Sequence, residues 1–415
     1  MLMNKKEIVL DSGVKLLMIN TDKFKTVDIR VFYEDVLDEK NITCNNLLLK
    51  LLTTKTKKYP TRKTFKTYLD DLYDMKVKSY VASYGETFSF SIGVNSLNKR
   101  YTLNNENLLE KQFEVLKEVL YNPLANEENF DNDYFKEMKN DYKESLVDAE
   151  NYKEVVVKKK VNGILGENNR LFELTEGYLN KLDSLDNDYV FSKYKEMGSL
   201  CKEIVVVGEI DFDEVINCVN KTLLFEKVCS ENKYIYRNEM KKYDDCSFDS
   251  KFGQSSIGVL FDMDIYFTDK LYYPACVFTE MFNYYLFKIV REEHNFCYSI
   301  YSSYISSRGL CYLQSNIEAK NYEMTLKLID DIHNDLKENI DLKVLDICKT
   351  KVINGLKKES DSPLKMITRE YFRGLYNLKD NEEVIEIIQN ISEEEIKEAA
   401  RKMEKKFSVI VKEGN

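Results

Sequence analysis

The polar residues that stand out first are an arginine and a tyrosine seven positions apart. Arg291 and Tyr298 lie in the segment VREEHNFCYSIYSS, residues 290 to 303. A guanidinium and a phenol both donate hydrogen bonds, and donors aimed at an oxygen that gains negative charge stabilise a transition state. The structural alternative is that Arg291 pairs with Glu292 or Glu293 while Tyr298 packs in a sheet. The spacing alone leaves both interpretations open.

Few other residues in the chain are candidates for catalysis. The sequence has two histidines: His294 in a predicted turn and His333 in a charged helical stretch, and we expect both to be exposed. It contains no P-loop, GxGxxG or GxSxG motif. Its nine cysteines include no CxxC pair, so neither a zinc ribbon nor a disulfide framework is indicated. Reduced, mostly buried thiols predict a cytoplasmic protein.

Composition and charge are those of a globular chain and argue against two classes of partner. The 415 residues are 43% hydrophobic and 32% charged, with only 14 glycines and 4 prolines, and this length predicts at least two domains. The net charge is −10 and the lysines are interleaved with acids, so no nucleic acid partner is expected. No apolar run is long enough for a bilayer span or a secretory signal, so no membrane partner is expected either.

The elements that must position the arginine and the tyrosine occur twice in the same order. Each half predicts a strand, a helix, a hairpin, an amphipathic helix, long charged helices, then a final helix and strand. In the first half, KTVDIRVFYEDV is followed by NNLLLKLLT and the hairpin VKSYVASYGETFSFSIGV. In the second half, QSSIGVLFDMDIYF is followed by YYPACVFTEMFNYYLFKIVRE and the hairpin FCYSIYSSYISSRGLCYLQSNIEA. The arginine and the tyrosine therefore lie where the second helix meets its hairpin.

This repetition predicts an α+β protein with two similar domains, each an antiparallel sheet with helices packed on it. We expect the domains at residues 1–225 and 246–415, joined by a polar linker at 226–245. Ser392 and Glu395 fit a capping box before the last helix. The segments SYGETFSFSIGV and SSRGLCYLQSNIEA each contain a strand that lies either at a sheet edge, where an extended peptide can bind, or inside the sheet, which is more common.

The order of elements resembles the insulinase family, which includes pitrilysin-like and mitochondrial-processing-peptidase-like proteins. The resemblance covers nearly the whole chain. The segment LLTTKTKKYPT, residues 51 to 61, is similar to the family segment just after the zinc motif. VREEHNFCYSIYSS is similar to the family's second-half segment of Arg-Glu, a short turn and Tyr-Ser, and VVVGEID is similar to the strand that closes the first half.

The resemblance also shows what this chain lacks. The family's zinc motif is H-x-x-E-H on a helix, in which two histidines hold the metal and the glutamate activates its water. Those three positions fall on Asn46, Leu49 and Lys50, none of which can perform these roles. Asp133 and Glu137 lie where the family has a further ligating glutamate, and without the histidines we interpret them as solvent-facing helix residues. We therefore expect no metal and no other cofactor in this chain.

The resemblance implies a function in partnership with another chain. In several pairs within the family, a subunit without the motif supplies an arginine and a tyrosine, seven residues apart, to zinc held by the other subunit. Arg291 and Tyr298 match that spacing, so the implied role is stabilisation of the transition state in trans. The implied partners are an insulinase-like paralogue with an intact H-x-x-E-H motif, which carries the zinc, and a peptide substrate. The alternative is a non-proteolytic binding or assembly protein linked to maturation of a translation elongation factor.

Overall fold

The computed structural model describes residues 4–225, 233–237, 239–358 and 361–414. These residues form two compact units, each built from three stretches of chain. The first unit comprises Met1–Val147, Thr175–Lys233 and Glu359–Gly374, and the second comprises Asp148–Leu174, Tyr234–Lys358 and Leu375–Asn415. Each unit contains one sheet and its own helices, which confirms the predicted α+β class.

The sheet of the first unit has six strands in the order β1-β2-β6-β3-β5-β4. The strands are β1 Asn4–Val9, β2 Lys15–Asn20, β3 Thr26–Val36, β4 Lys76–Tyr84, β5 Thr87–Leu97 and β6 Cys201–Gly208. All neighbours are antiparallel except β2 and β6, which are parallel. On β5 the alternating residues Phe88, Phe90 and Ile92 belong to the core of this unit.

Among the described residues, the first unit has seven α-helices before residue 225 and an eighth after residue 361. They are α1 Glu39–Thr54, α2 Arg62–Asp71, α3 Leu109–Tyr121, α4 Asn132–Asp148, α6 Leu179–Asp183, α7 Asn187–Glu196, α8 Phe212–Thr222 and α12 Pro363–Tyr376. A continuous core joins one face of the sheet to apolar side chains of α1, α3 and α4. The apolar stripe predicted in α3 faces this core, because Phe113, Leu116 and Leu120 are buried.

The sheet of the second unit has five strands in the order β7-β11-β8-β10-β9. They are β7 Cys246–Asp249, β8 Ser255–Asp262, β9 Cys297–Ile305, β10 Leu310–Ile317 and β11 Glu404–Lys412. Only β7 and β11 are parallel. The helices are α5 Lys153–Leu165, α9 Tyr272–Tyr285, a π-helix Leu286–Glu293, α10 Tyr322–Leu336, α11 Leu342–Lys358, α13 Asn381–Asn390 and α14 Glu393–Lys402. The capping box of Ser392 and Glu395 is confirmed at the start of α14.

Helix α12 covers the second face of the first sheet. The Tyr371 ring stacks on the Phe32 ring at a centroid distance of 3.8 Å. Its hydroxyl donates to Glu34 Oε1 at 2.6 Å and lies 3.0 Å from Ser89 Oγ. Polar side chains of β3 and β5 on this face are therefore buried although they point away from the main core.

Helix α5 covers one face of the sheet of the second unit in a similar way. Val157 and Val161 are buried in an apolar cluster with residues of β8, β10 and β11. Gly258 in β8 permits this close approach, because a Cβ there would lie 2.7 Å from Val157 Cγ1. Both predicted domains are continuous stretches of chain, whereas each compact unit includes a helix from the other half of the sequence. Within the predicted linker, residues 226–232 and 238 lie outside the described residues.

The expectation that His333 is exposed is wrong. It lies on the inner face of α10, with its ring between Phe261, Phe278 and Phe282, and its Nε2 is 2.9 Å from the Ala400 carbonyl oxygen. Burial lowers the pKa of His333 below its usual 6.5. The charged residues around it in sequence suggested a solvated helix, but the helix buries the stripe on which the histidine lies.

Candidate functional site

Helix α1 carries the three positions that correspond to the family's zinc motif. Asp38 caps its first turn by accepting from two backbone amides. Asn46 is half-buried and donates both amide hydrogens, to the carbonyl oxygens of Ile42 and Thr175, each at 2.9 Å. Leu49 is 3% exposed and belongs to the core of the first unit. Lys50 extends its ammonium to 5.6 Å from the centre of the Tyr142 ring.

A short segment at residues 175–178 packs against this part of α1. Besides the bond from Asn46, the Tyr178 amide donates to Thr43 Oγ1 at 3.0 Å, and the Tyr142 hydroxyl donates to the Glu176 carbonyl oxygen at 2.7 Å. Burial holds the pKa of Tyr142 well above its usual range, so this hydroxyl stays protonated and able to donate. Ordinary protein hydrogen bonds thus occupy the polar groups around Asn46.

Basic side chains surround the carboxylates that were candidates for a further metal ligand. Glu137 accepts from Lys55 Nζ at 2.5 Å and from Arg62 Nε at 3.2 Å, and Arg62 also pairs with Asp141. Asp133 is exposed in the first turn of α4. Glu137 is therefore half-buried and paired, which differs from the predicted solvent-facing residue. In the part of the chain that the structure describes, no three acidic, histidine or cysteine side chains form a group able to hold a metal ion.

Arg291 and Tyr298 come together in the second unit. The Arg291 guanidinium carbon lies 4.4 Å from the centre of the Phe287 ring and 5.2 Å from the centre of the Tyr298 ring. These distances are those of cation–π contacts. Tyr298 is 81% exposed, so the ring covers the arginine from the solvent side. The prediction named the two residues, while their contact and the contribution of Phe287 are visible only in the structure.

Local backbone geometry explains why a spacing of seven residues brings the two side chains into contact. Arg291 lies in the last turn of the π-helix that continues α9. The chain then reverses through His294 and Asn295, and Asn295 has a φ of +55°, which asparagine tolerates better than most residues. The Asn295 amide donates to the Arg291 carbonyl oxygen at 3.0 Å, and the chain enters β9 at Cys297. His294 is exposed in this turn, as the sequence predicted.

Neither contact of the structural alternative is present. Among the described residues, no carboxylate lies within ion-pair distance of Arg291, including those of Glu292 and Glu293. The Tyr298 hydroxyl likewise has no hydrogen bond to the described chain, and the ring projects into solvent rather than into the sheet. Both donors are therefore available for a ligand or another chain. Their catalytic role stays a prediction.

The strand that carries Tyr298 is an edge strand. β9 pairs only with β10, and β4 holds the corresponding place in the first unit, where it pairs only with β5. The segments SYGETFSFSIGV and SSRGLCYLQSNIEA, which were candidates for edge strands, mostly form β5 and β10. Both are internal strands of their sheets. The first strands of the same hairpins, β4 and β9, are edge strands instead, and β1 and β7 form the opposite edges. Tyr301 is half-exposed on β9 near Tyr298, so an aromatic surface accompanies the free backbone groups of this edge.

Comparisons with known proteins agree with these observations. A family model described as the peptidase M16 inactive domain matches residues 203–352. The chain is 24% identical over 403 residues to the probable inactive metalloprotease YmfF of Bacillus subtilis (strain 168), and the match covers 94% of each protein. Among solved structures, it is similar to a protein of Enterococcus faecalis V583, with a TM-score of 0.89, 23% identity and 99% of both chains covered. It is also similar to a protease from Helicobacter pylori, with a TM-score of 0.79, 12% identity, and 99% of this chain and 100% of that chain covered.

Those structural similarities establish the shared fold. The match to an inactive domain and to a probable inactive metalloprotease also supports the prediction that this chain is not a peptidase by itself. In the described ranges no helix has the length and apolar character needed to cross a bilayer.

Proposed function

Because this chain is an insulinase-like, peptidase M16-type protein of the inactive kind, we propose that it is the non-catalytic subunit of a heterodimeric zinc-peptidase-like complex. The partner is an insulinase-like paralogue with an intact H-x-x-E-H motif, and it holds the zinc. This chain helps to bind the peptide and supplies Arg291 and Tyr298 in trans. The complex acts in the cytoplasm, a location favoured by the eight described cysteines, which are all unpaired.

The observation that carries the proposal is the exposed Arg291–Tyr298 pair. A buried or surface arginine that serves only structure usually pairs with a carboxylate, and a structural tyrosine buries its ring. Arg291 instead contacts two aromatic rings, and Tyr298 is largely exposed to solvent. The stacking limits the motion of the guanidinium without using its N–H groups, so the donors remain oriented and free.

In peptide hydrolysis, negative charge develops on an oxygen that these two donors can stabilise. Zinc in the partner supplies an activated water, and attack on the peptide carbonyl places negative charge on its oxygen. A guanidinium and a phenol within hydrogen-bond reach of that oxygen stabilise the charge more in the transition state than in the substrate. Tyr298 is the second residue of edge strand β9, so a peptide that adds to this edge as a further strand passes next to both donors.

A reconstituted complex tests the proposal. The chain is mixed with the H-x-x-E-H paralogue, and kcat/KM for a fluorogenic peptide is measured for the wild type, Arg291→Ala, Tyr298→Phe and the double variant. Each single loss of a donor is expected to lower kcat/KM by roughly a hundredfold, mainly through kcat. The isolated chain is expected to show no peptidase activity.

Matched substitutions separate this role from a general effect on folding. Arg401→Ala and Tyr152→Phe change exposed residues of the same types on other surfaces of the chain, and they are expected to leave kcat/KM within about twofold. Unchanged turnover in the Arg291 and Tyr298 variants would contradict the trans role. Zinc-dependent peptidase activity of the lone chain would contradict the non-catalytic assignment.

A second candidate function is a binding or assembly role without proteolysis, which the resemblance links to maturation of a translation elongation factor. Edge strand β9 with its exposed Tyr298 and Tyr301 favours it, because such an edge can bind an extended segment of a client without zinc chemistry. Affinity purification distinguishes the two roles. Recovery of a folded client without a peptidase-like subunit would favour assembly, whereas recovery of an H-x-x-E-H paralogue would favour the heterodimer.

A further inference from the structure

A small polar cavity lies on the α12-covered face of the first sheet, and its position follows from strand register. In β3, Asp28 and Arg30 are two residues apart and so point to the same face. Arg30 is opposite Gly93 of β5, which is opposite Lys78 of β4. Asp28 is likewise opposite Asn95, which is opposite Lys76. Two rows of three residues thus line one wall of the cavity.

Two buried charged groups at this wall have hydrogen-bonding capacity that the protein does not use. Arg30 is 2% exposed, and its Nη1 donates to Ser91 Oγ at 3.2 Å, but its buried Nε has no acceptor among the described residues. Asp28 is 6% exposed, and its Oδ2 accepts from Asn95 Nδ2 at 3.2 Å, while its Oδ1 has no donor in the part of the chain that the structure describes. Unsatisfied buried charged groups are costly, so an unpaired donor beside an unpaired acceptor indicates a bound polar species.

The cavity is shaped for the guanidinium and closed by the start of a helix. A Cβ on Gly93 would lie 2.9 Å from Arg30 Cζ. Only glycine therefore leaves enough space for the Arg30 guanidinium at this position. Ser362, Pro363 and Leu364, at the N-terminus of α12, form the opposite wall. In the first turn of α12, Pro363 has no N–H and the Lys365 amide donates to Ser362 Oγ at 3.2 Å. The Leu364 amide has no acceptor in the described chain and can attract an anion. The volume is about 210 Å³, below the range of roughly 300–1,000 Å³ that is usual for drug-sized ligands.

The charges favour an anion that also carries a proton. Arg30, Lys76 and Lys78 are basic, although Lys76 also pairs with Asp74. Among the lining residues Asp28 is the one acid. Burial raises its pKa above the usual value, although Arg30, the Asn95 amide and Lys78 act in the opposite direction. A fully deprotonated anion bound to Arg30 would face the Asp28 carboxylate without a hydrogen bond. An anion with one O–H group can accept from Arg30 and donate to Asp28 at the same time.

We propose that this cavity binds a protonated phosphate group, either inorganic phosphate or the head of a small phosphomonoester. The phosphate oxygens accept from Arg30 Nε, from the Lys78 ammonium and from the first turn of α12. The remaining P–OH donates to Asp28 Oδ1. Sulfate has the same shape but no proton at neutral pH, so Asp28 discriminates against it. This site lies in the first unit and does not depend on the proposed role of Arg291 and Tyr298 in the second.

Calorimetric titration of the full chain at pH 6 and constant ionic strength tests the site, because phosphomonoesters lose their second proton near pH 6 and still carry it in part there. Sodium phosphate, methyl phosphate and sodium sulfate are the probes, and phosphate is expected to bind at least about tenfold more tightly than sulfate. Stronger binding of methyl phosphate assigns the site to phosphomonoesters, while equal or weaker binding assigns it to inorganic phosphate. Asp28→Asn is expected to bring sulfate within about threefold of phosphate, because the amide can donate to either anion.

Two further variants test the architecture of the cavity. Gly93→Ala displaces the guanidinium and is expected to weaken phosphate binding by about tenfold or more, and Lys78→Gln, at an exposed position, by about threefold to tenfold. Gly355→Ala and Lys221→Gln are the matched controls, since a Cβ on Gly355 meets no neighbour and Lys221 is highly exposed. The proposal is overturned if folded wild-type protein gives no heat with 10 mM phosphate, if phosphate and sulfate bind equally, or if Gly93→Ala and Lys78→Gln match their controls.

Discussion

Buried carboxyl groups on the α12-covered face of the first sheet make the protein sensitive to pH. Glu34 and Glu370 have partners there: Glu34 accepts from the Tyr371 hydroxyl, and Glu370 pairs with Lys5 at 2.7 Å. Glu203 of β6 is buried beside them. Burial raises its pKa to about 8, and the neighbouring acids Glu7, Glu34 and Glu370 contribute in the same direction, while Lys15 opposes them. Glu203 is therefore mostly protonated in the folded protein at neutral pH.

The sign of this shift gives a prediction. In the unfolded chain a glutamate loses its proton near 4.5, whereas Glu203 in the folded chain keeps it until about 8. Its contribution to stability is fully present below pH 4.5 and is lost as pH rises through 8. Glu203→Gln removes this loss, so we expect it to raise the free energy of unfolding at pH 8 by on the order of a few kcal/mol relative to wild type.

Urea unfolding between pH 5 and 9 measures this effect. The difference between Glu203→Gln and wild type is expected to grow with pH across that range. Glu110→Gln, an exposed substitution on α3, is expected to follow the wild-type curve. If Glu203→Gln and wild type lose stability in parallel as pH rises, Glu203 is already ionised in the folded protein and the assignment is wrong.

The contact between α1 and residues 175–178 decides how the degenerate zinc-motif region is ordered. Gly177 has a φ of +101°, and a Cβ on it would overlap the Tyr142 hydroxyl. This close approach lets the Tyr142 hydroxyl bond Glu176 while Asn46 bonds Thr175. A backbone conformation that favours glycine thus holds this segment close to the helix.

Gly177→Ala is expected to destabilise the first unit by about 2 kcal/mol or more, because it adds both backbone strain and a steric overlap. Thermal unfolding followed by circular dichroism measures the change. Gly163→Ala is the matched control: it lies inside α5, where a Cβ meets no neighbour, and helix propensity predicts a gain of roughly 0.5–1 kcal/mol. Equal melting temperatures for the Gly177 variant and wild type would contradict the close packing.

The two compact units depend on both halves of the sequence. Without α12, the first sheet would expose Phe32 and the buried Glu34 to water. Without α5, the second sheet would lose its contacts with Val157 and Val161. Each sheet would then present a large surface that is normally buried, which favours aggregation over a stable fold. The continuous domains expected at 1–225 and 246–415 therefore do not coincide with complete structural units.

Expression of the two halves as separate chains tests this dependence. Fragments 1–233 and 234–415 are expected to lack a cooperative thermal transition when each is purified alone, and to co-purify in a one-to-one complex when they are produced together. Co-purification followed by calorimetry makes the comparison, with the intact chain as the reference. A cooperative transition of either fragment alone, with native secondary structure, would show that the exchanged helix is dispensable.

Local sequence patterns were sufficient to predict the types and order of the main elements and the absence of a working zinc motif. Strand alternation, helical stripes and the capping box at Ser392 are local patterns, so they can be recognised without knowledge of the fold. The loss of the motif is equally local, because asparagine, leucine and lysine at positions 46, 49 and 50 cannot hold and use zinc in any arrangement of the chain. The hairpin β1–β2 was missed because its first strand is short and half-exposed.

Which surfaces are covered could be learned from the folded chain alone. The tertiary structure placed β9 at a sheet edge, buried His333 and brought Arg291 against Tyr298. In the structure, α5 and α12 each pack on the sheet formed by the other half of the sequence. Arg30 and Leu364 therefore line the same cavity. Contacts between residues hundreds of positions apart leave no periodicity in either segment. They are set by which faces remain to be buried once each sheet has formed, and that is a property of the folded chain.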